Sequence, residues 1–126
     1  MVFGVFDGFH EGHRYFVDEA MAQCQQLIIV VACPEAITLL KNSPPRQSLE
    51  NRMLQIHRHY PYHTIVAGDA ALHTWSALHK FQPDIVFVGY DQHQLATELE
   101  RKNMPFLFIA SYKPNKFKSS LLNKKS

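Results

Sequence analysis

Two cysteines, one tryptophan and five glycines are the scarce residues of this 126-residue chain. Cys24 and Cys33 form no Cys-x-x-Cys pair, so neither a disulfide framework nor a zinc ribbon is written here. They read as two reduced, packed thiols. Long apolar runs are missing too. The longest, Leu27 to Cys33, is far short of a membrane span. Met1 leads straight into an apolar strand rather than a signal peptide, so a cytoplasmic protein with no membrane partner is expected. Neither charge dominates, with 13 Lys and Arg against 11 Asp and Glu. No nucleic-acid partner is expected. Repeats and low-complexity segments are absent. With 46% hydrophobic and 19% charged residues, the chain has enough to build a core, and one domain over 1–126 is expected.

The apolar pattern alternates between two periods. Met1–Phe6, Leu27–Ala32, Thr64–Ala67, Ile85–Val88 and Pro105–Ala110 read as strands. Leu27–Ala32 is continuous and β-branched, the mark of a central parallel strand buried on both faces. Between the strands, helices are expected from His13 through Cys24, over Glu35–Leu40, over Leu49–His57 with Ser48 as N-cap, over Leu72–Phe81, and over Leu95–Arg101. Trp75 reads as a core or interface aromatic rather than a stacking platform. Glu98 is placed to pair with Arg101 and Lys102. Strand and helix alternate throughout, which predicts a doubly wound α/β fold with a five-stranded parallel sheet. Ligands of such sheets bind where the strand order switches, at strand C-terminal ends.

The densest stretch of unusual residues is Gly4-Val5-Phe6-Asp7-Gly8-Phe9-His10-Glu11-Gly12-His13. It sits where the first strand turns into the first helix. Glycine lets backbone approach a ligand closely. A helix N-terminus offers free N–H groups and partial positive charge to an anion. His10 and His13, three residues apart, can face that same anion. The stretch reads as a phosphate-handling turn. The chain has eight histidines, and the other six lack metal-ligand spacing. His57, His59 and His63 are read as surface histidines, with a zinc site as a distant alternative.

Gly4 to His13 resembles the signature G-[TSV]-F-D-x-x-H-x-G-H of the cytidylyltransferase-like nucleotidyltransferases. That family includes glycerol-3-phosphate cytidylyltransferases, FAD synthases, heptose-phosphate nucleotidyltransferases and, more distantly, pantetheine-phosphate adenylyltransferase. Three further stretches share the resemblance. Lys41 and Arg52, with Pro44, Pro45 and Glu50 between them, resemble a Lys–Pro–Glu-x-Arg segment that lies against phosphates in relatives. A second lysine common near Ser43 or Pro44 is absent, and Arg46 is the nearest substitute. Gly89-Tyr90-Asp91-Gln92 resembles the Gly-x-Asp loop that approaches base and ribose, in the wording of the short FAD synthases. Phe117-Lys118-Ser119-Ser120 resembles the closing hydroxyl motif, with Lys118 where the first hydroxyl usually stands. From spacing alone, Arg52 reads as a helix-surface ion pair and Asp91 as a helix cap.

The resemblance implies a Rossmann-like nucleotidyltransferase. A nucleoside monophosphate passes from CTP or ATP to a phosphorylated small molecule, either FMN-like or glycerol 3-phosphate-like, and pyrophosphate leaves. It implies His10, His13, Lys41 and Arg52 as catalytic residues. Gly4, Phe6, Asp7, Gly12, Gly89, Asp91, Lys113, Ser119 and Ser120 would bind the nucleotide. Mg2+ would bridge phosphates, with Asp7 as candidate carboxylate or, equally, as a brace of the turn. A homodimer is compatible. The alternative is a nucleotide-binding module of the same fold that has lost catalysis, and it rests on the missing lysine and on Lys118.

Overall fold

Apolar residues run continuously through the strands and recur at three- and four-residue spacing in the helices, and the chain folds accordingly. The computed structural model describes residues 1–71 and 74–110. In order these form β1 (Val2–Gly4), α1 (Glu11–Met21), β2 (Ile28–Val31), α2 (Pro34–Lys41), α3 (Leu49–His59), β3 (Thr64–Ala67), α4 (Ser76–Phe81), β4 (Val86–Gly89), α5 (His93–Arg101) and β5 (Phe106–Ile109). Two helices show a plain local reason to start or stop. Ser48 Oγ accepts the Asn51 N–H at 3.1 Å and opens α3. Pro34 opens α2, and Asn42, left-handed at φ 59°, closes it. Among the described residues no helix is long and apolar enough to cross a membrane.

All strand pairs are parallel. β2 lies between β1 and β3, with Phe3 opposite Val30 and Val30 opposite Val66. β4 pairs with β5, with Phe87 opposite Leu107. The two ladders meet along β1 and β4, where Phe87 N donates to Met1 O at 2.9 Å and Met1 N to Ile85 O at 3.0 Å. The strand order is therefore β3-β2-β1-β4-β5, and the chain reverses direction of travel between β1 and β4. This is the Rossmann-like, doubly wound arrangement, and its switch point falls at the C-terminal ends of those two strands.

Alternation along the strands divides the core between two faces. On one, Val2, Ile29, Val31 and Phe87 pack with Val17 and Ala20 of α1 and Ile56 of α3. On the other, Val30, Val86 and Val88 pack with Leu78 of α4 and Leu95 and Leu99 of α5. Each fully buried aliphatic chain contributes roughly 1.5–3 kcal/mol. Tyr60 Oη donates to Asp18 at 2.7 Å and ties α3 to α1. Glu98 pairs with both Arg101 and Lys102, as its spacing implies.

Several boundaries differ from the sequence reading by one to four residues, and three of them have a clear local reason. β1 stops at Gly4 because Phe6 turns into the left-handed region at φ 54°. α1 begins at Glu11, two residues early, because His10 serves as its N-cap. The described part of α4 begins at Ser76, since Trp75 is left-handed at φ 51°. The Asp69 carboxylate then receives the Ser76 N–H at 2.8 Å and the Thr74 hydroxyl. Leu72 of the expected helix lies outside the described residues.

Candidate active site

The turn after β1 builds the site around two imidazoles. Gly12 N donates to His10 Nδ1 at 3.1 Å, and His10 N donates to His13 Nδ1 at 3.3 Å. The two rings stack with centroids 3.8 Å apart. Together they cap α1 and satisfy backbone donors that a helix start leaves open. Because each Nδ1 accepts a backbone N–H, each neutral ring carries its proton on Nε2. Among the described residues no hydrogen bond engages either Nε2–H, which leaves both able to donate beside the positive end of the helix.

His13 is held from behind by aromatic rings. Phe6 meets it edge-on at 5.5 Å and Phe9 stacks at 6.0 Å. Burial pushes its pKa down to about 4, helped by the charges of His10 and Lys41 and opposed by Asp7. His13 is thus a neutral hydrogen-bond donor at physiological pH. Phe6 itself is buried, and its ring lies where a side chain on Gly4 would be: an added Cβ would sit 2.5 Å from it. Gly4 makes room for Phe6, and Gly12 makes room for the His10 ring, 3.0 Å from an added Cβ.

The turn is clasped by a distant loop. Asp7 Oδ2 accepts Arg46 N at 2.8 Å and Asp7 Oδ1 accepts Gln47 N at 3.0 Å. In return Gln47 Oε1 accepts Gly8 N at 2.8 Å. Those backbone bonds hold the Asp7 pKa below the usual carboxylate range. Beneath them lies Arg52, fully buried. Its Nε donates to Gln47 O at 3.1 Å, and its Nη1 to Val5 O at 3.0 Å and Ala32 O at 2.8 Å. Nη2 is buried without a protein partner among the described residues. The spacing-based picture of Arg52 as an exposed ion pair is corrected here. Its guanidinium is bound to three carbonyls, and burial lowers its pKa.

A cleft of about 1230 Å³ opens at the switch point. His10, Gly12 and His13 line it with Lys41, and so do Gly4, Phe6, Gly89 and Asp91. Neither Asp7 nor Arg52 is among its lining residues. Trp75 is half-buried, meets Phe3 edge-on at 5.2 Å, and reaches the cleft wall. Asp91 is exposed, and α5 is capped by no side chain. Of the two roles open to Asp7, the geometry displays the brace: each of its oxygens accepts one backbone N–H, and Arg46 Nε stands 3.9 Å away. Among the described residues no group of three His, Cys, Asp or Glu side chains could hold a metal ion. His63 Nδ1 instead accepts the Leu27 N–H. Lys113, Ser119 and Ser120 lie outside the described residues.

Sequence reasoning missed Gln47 and the inward role of Phe9. Nothing in the local pattern marks Gln47. Phe9 stands in the signature at a variable position, and only its apolar character between polar neighbours hints at burial.

Comparison with known proteins agrees with this fold. The family model described as cytidylyltransferase-like matches residues 1–124. The FAD synthase of Pyrococcus abyssi is 26% identical over 136 aligned positions, covering 99% of this chain and 89% of the relative. That of Pyrococcus horikoshii is 29% identical over 102, covering 81% and 69%. That of Aciduliprofundum boonei is 30% identical over 102, covering 81% and 67%. Among solved structures, the lipopolysaccharide core biosynthesis protein of Thermoplasma volcanium superposes with a TM-score of 0.73 at 22% identity, covering 91% of this chain and 96% of that one. That likeness speaks for the fold alone. The match over nearly the whole chain, with the histidine turn at the switch point, makes this chain a member of the cytidylyltransferase-like family of nucleotidyltransferases.

Proposed function

We propose that the chain transfers the adenylyl group of ATP to the phosphate of FMN or a closely similar flavin phosphate, releasing pyrophosphate. The observation that carries the reading is the histidine pair: two stacked rings whose Nε2–H groups are left free by backbone bonds to Nδ1, on the wall of a switch-point cleft. The relatives named FAD synthase, with Gly89-Tyr90-Asp91-Gln92 in this chain, favour a flavin acceptor over glycerol 3-phosphate.

The acceptor phosphate is an anion at neutral pH and attacks the α-phosphorus without a strong base. Catalysis then rests on placement and on donors aimed at growing charge. His10 and His13 donate to α-phosphate oxygens as the pentavalent centre forms. Lys41 supplies positive charge from the end of α2. Arg52 and Asp7 act from below, by fixing the turn. The motif resemblance assigns Lys113, Ser119 and Ser120 to the β- and γ-phosphates. A divalent ion carried in on the triphosphate, Mg2+ by preference, would neutralise phosphate charge.

The test is pyrophosphate release over a matrix of ATP and CTP against FMN, glycerol 3-phosphate and sugar phosphates, with Mg2+. ATP with FMN is the expected productive pair. His13→Ala should slow it by about 100-fold or more, the scale of one lost transition-state donor, with the fold intact. Turnover of CTP with glycerol 3-phosphate alone would replace the acceptor assignment. Nucleotide binding with no turnover of any pair would favour a lapsed module.

A further inference from the structure

The seam between β1 and β4 is interrupted by a side chain. At its start the two strands pair through backbone, Met1 N to Ile85 O and Phe87 N to Met1 O. In a parallel ladder the next bond of that series would join Gly89 N to Phe3 O, two residues further on each strand. Both groups are occupied instead by one amide. Gly89 N donates to Gln92 Oε1 at 2.8 Å, and Gln92 Nε2 donates to Phe3 O at 2.8 Å. A carboxamide has the donor and acceptor of a peptide group, so it fits between the strands with both halves satisfied. The strands are held one amide apart where the cleft begins.

The local sequence is suited to this insertion. Gln92 N donates to Gly89 O at 3.0 Å, which closes a tight turn over Tyr90 and Asp91 and folds the Gln92 side chain back under the strand end. A side chain at position 89 would press on that amide: an added Cβ would lie 3.3 Å from Gln92 Oε1. Gly89 and Gln92 are thus one device, and both line the cleft with Phe3 and Gly4.

We infer that Gln92 is a positioning residue, a spacer that keeps β1 and β4 parted and so sets the width of the slot that takes the donor nucleotide. The inference rests on the proposed use of the cleft for nucleotide. Its direct readouts, backbone exchange and ATP affinity, do not depend on turnover, so its failure and that of the proposed reaction can be told apart.

The experiment compares Gln92→Met, which keeps the length and removes the amide, with Gln92→Glu, which keeps the acceptor for Gly89 and loses the donor for Phe3. Amide hydrogen exchange at Gly89, the dissociation constant of ATP, and kcat with the productive acceptor are measured on the whole chain. In Gln92→Met the thioether chain still fills the gap and keeps Gly89 N from Phe3 O, so exchange at Gly89 should rise at least about tenfold, the scale of one lost hydrogen bond. ATP affinity should fall about as much while kcat stays within about threefold. Gln92→Glu should keep Gly89 protected and still lose ATP affinity. If Gln92→Met does not fold, Gln92→Glu carries the test. Unchanged exchange with weakened ATP would make Gln92 a direct ligand contact and overturn the spacer. Unchanged affinity in both variants, or a loss confined to kcat, would overturn it as well.

Discussion

Acid titration reads the histidine pair directly. His13 stands half-buried against Phe6 and Phe9, and its pKa falls from 6.5 to about 4, chiefly through burial and then through the charge of His10. In the unfolded chain the same ring titrates near its ordinary value, about 6.5. Between those limits the unfolded chain binds a proton that the folded one refuses. Stability therefore declines as pH drops from about 6.5 to about 4, and this contribution to the decline ends below that. The whole displacement corresponds to about 3.4 kcal/mol at about 1.36 kcal/mol per pKa unit. Water at the half-exposed ring screens it to roughly 1–2 kcal/mol. Urea unfolding of the wild type and of His13→Asn at about pH 7 and about pH 4.5 isolates that part. The wild type should lose roughly 1–2 kcal/mol more than the variant between the two. A midpoint above about 6 for the His13 ring by NMR, or equal losses in both proteins, would refute the argument that burial keeps this donor neutral.

Three other outcomes follow from the packing. Gly4→Ala drives a methyl into the Phe6 ring and should cost about 1–3 kcal/mol by urea unfolding, with wild-type stability showing that the ring can move aside freely. Arg52→Met keeps apolar bulk and strips donors from Val5 O, Ala32 O and Gln47 O. It should cost at least about 2–3 kcal/mol, and Arg52→Lys should restore only part, because one ammonium cannot reproduce the guanidinium fork; full recovery with lysine would remove the fork from the account. Asp7→Asn puts an amide donor against a backbone N–H of Arg46 or Gln47. It should lower kcat by about tenfold or more through the loosened turn, and an unchanged kcat would show that the turn holds without the clasp.

Much of this is legible in the sequence. Strand Thr64–Ala67, the Ser48 cap and the two Glu98 pairs follow from periodicity and side-chain chemistry that act within a few residues. The histidine turn was legible because its residues are contiguous. Arg52 was misread from spacing because the helical pattern cannot show that three carbonyls from distant segments converge on one guanidinium. The insertion at Gln92 was hidden for the same reason, since Phe3 O and the Gln92 side chain lie 89 residues apart. Trp75 was read correctly as a packed aromatic, but its left-handed backbone was not, because tertiary contacts with Phe3 override the local preference.

The clasp over the turn also bears on how the protein acquires its site. The bonds that join Val5, Asp7 and Gly8 to Arg46, Gln47 and Arg52 span 39 to 47 residues. Closing so long a loop must precede any of these bonds, and contacts of high sequence separation slow folding. A growing chain presents its whole histidine signature well before the segment that fastens it has been made. Until β2 and α3 are in place, Val5, Asp7 and Gly8 lack these partners. The anchoring of the phosphate-handling turn therefore follows the making of the turn itself, contiguous though its residues are. Substitutions at Gln47 or Arg52 act on the step that couples the first strand–helix unit to the next.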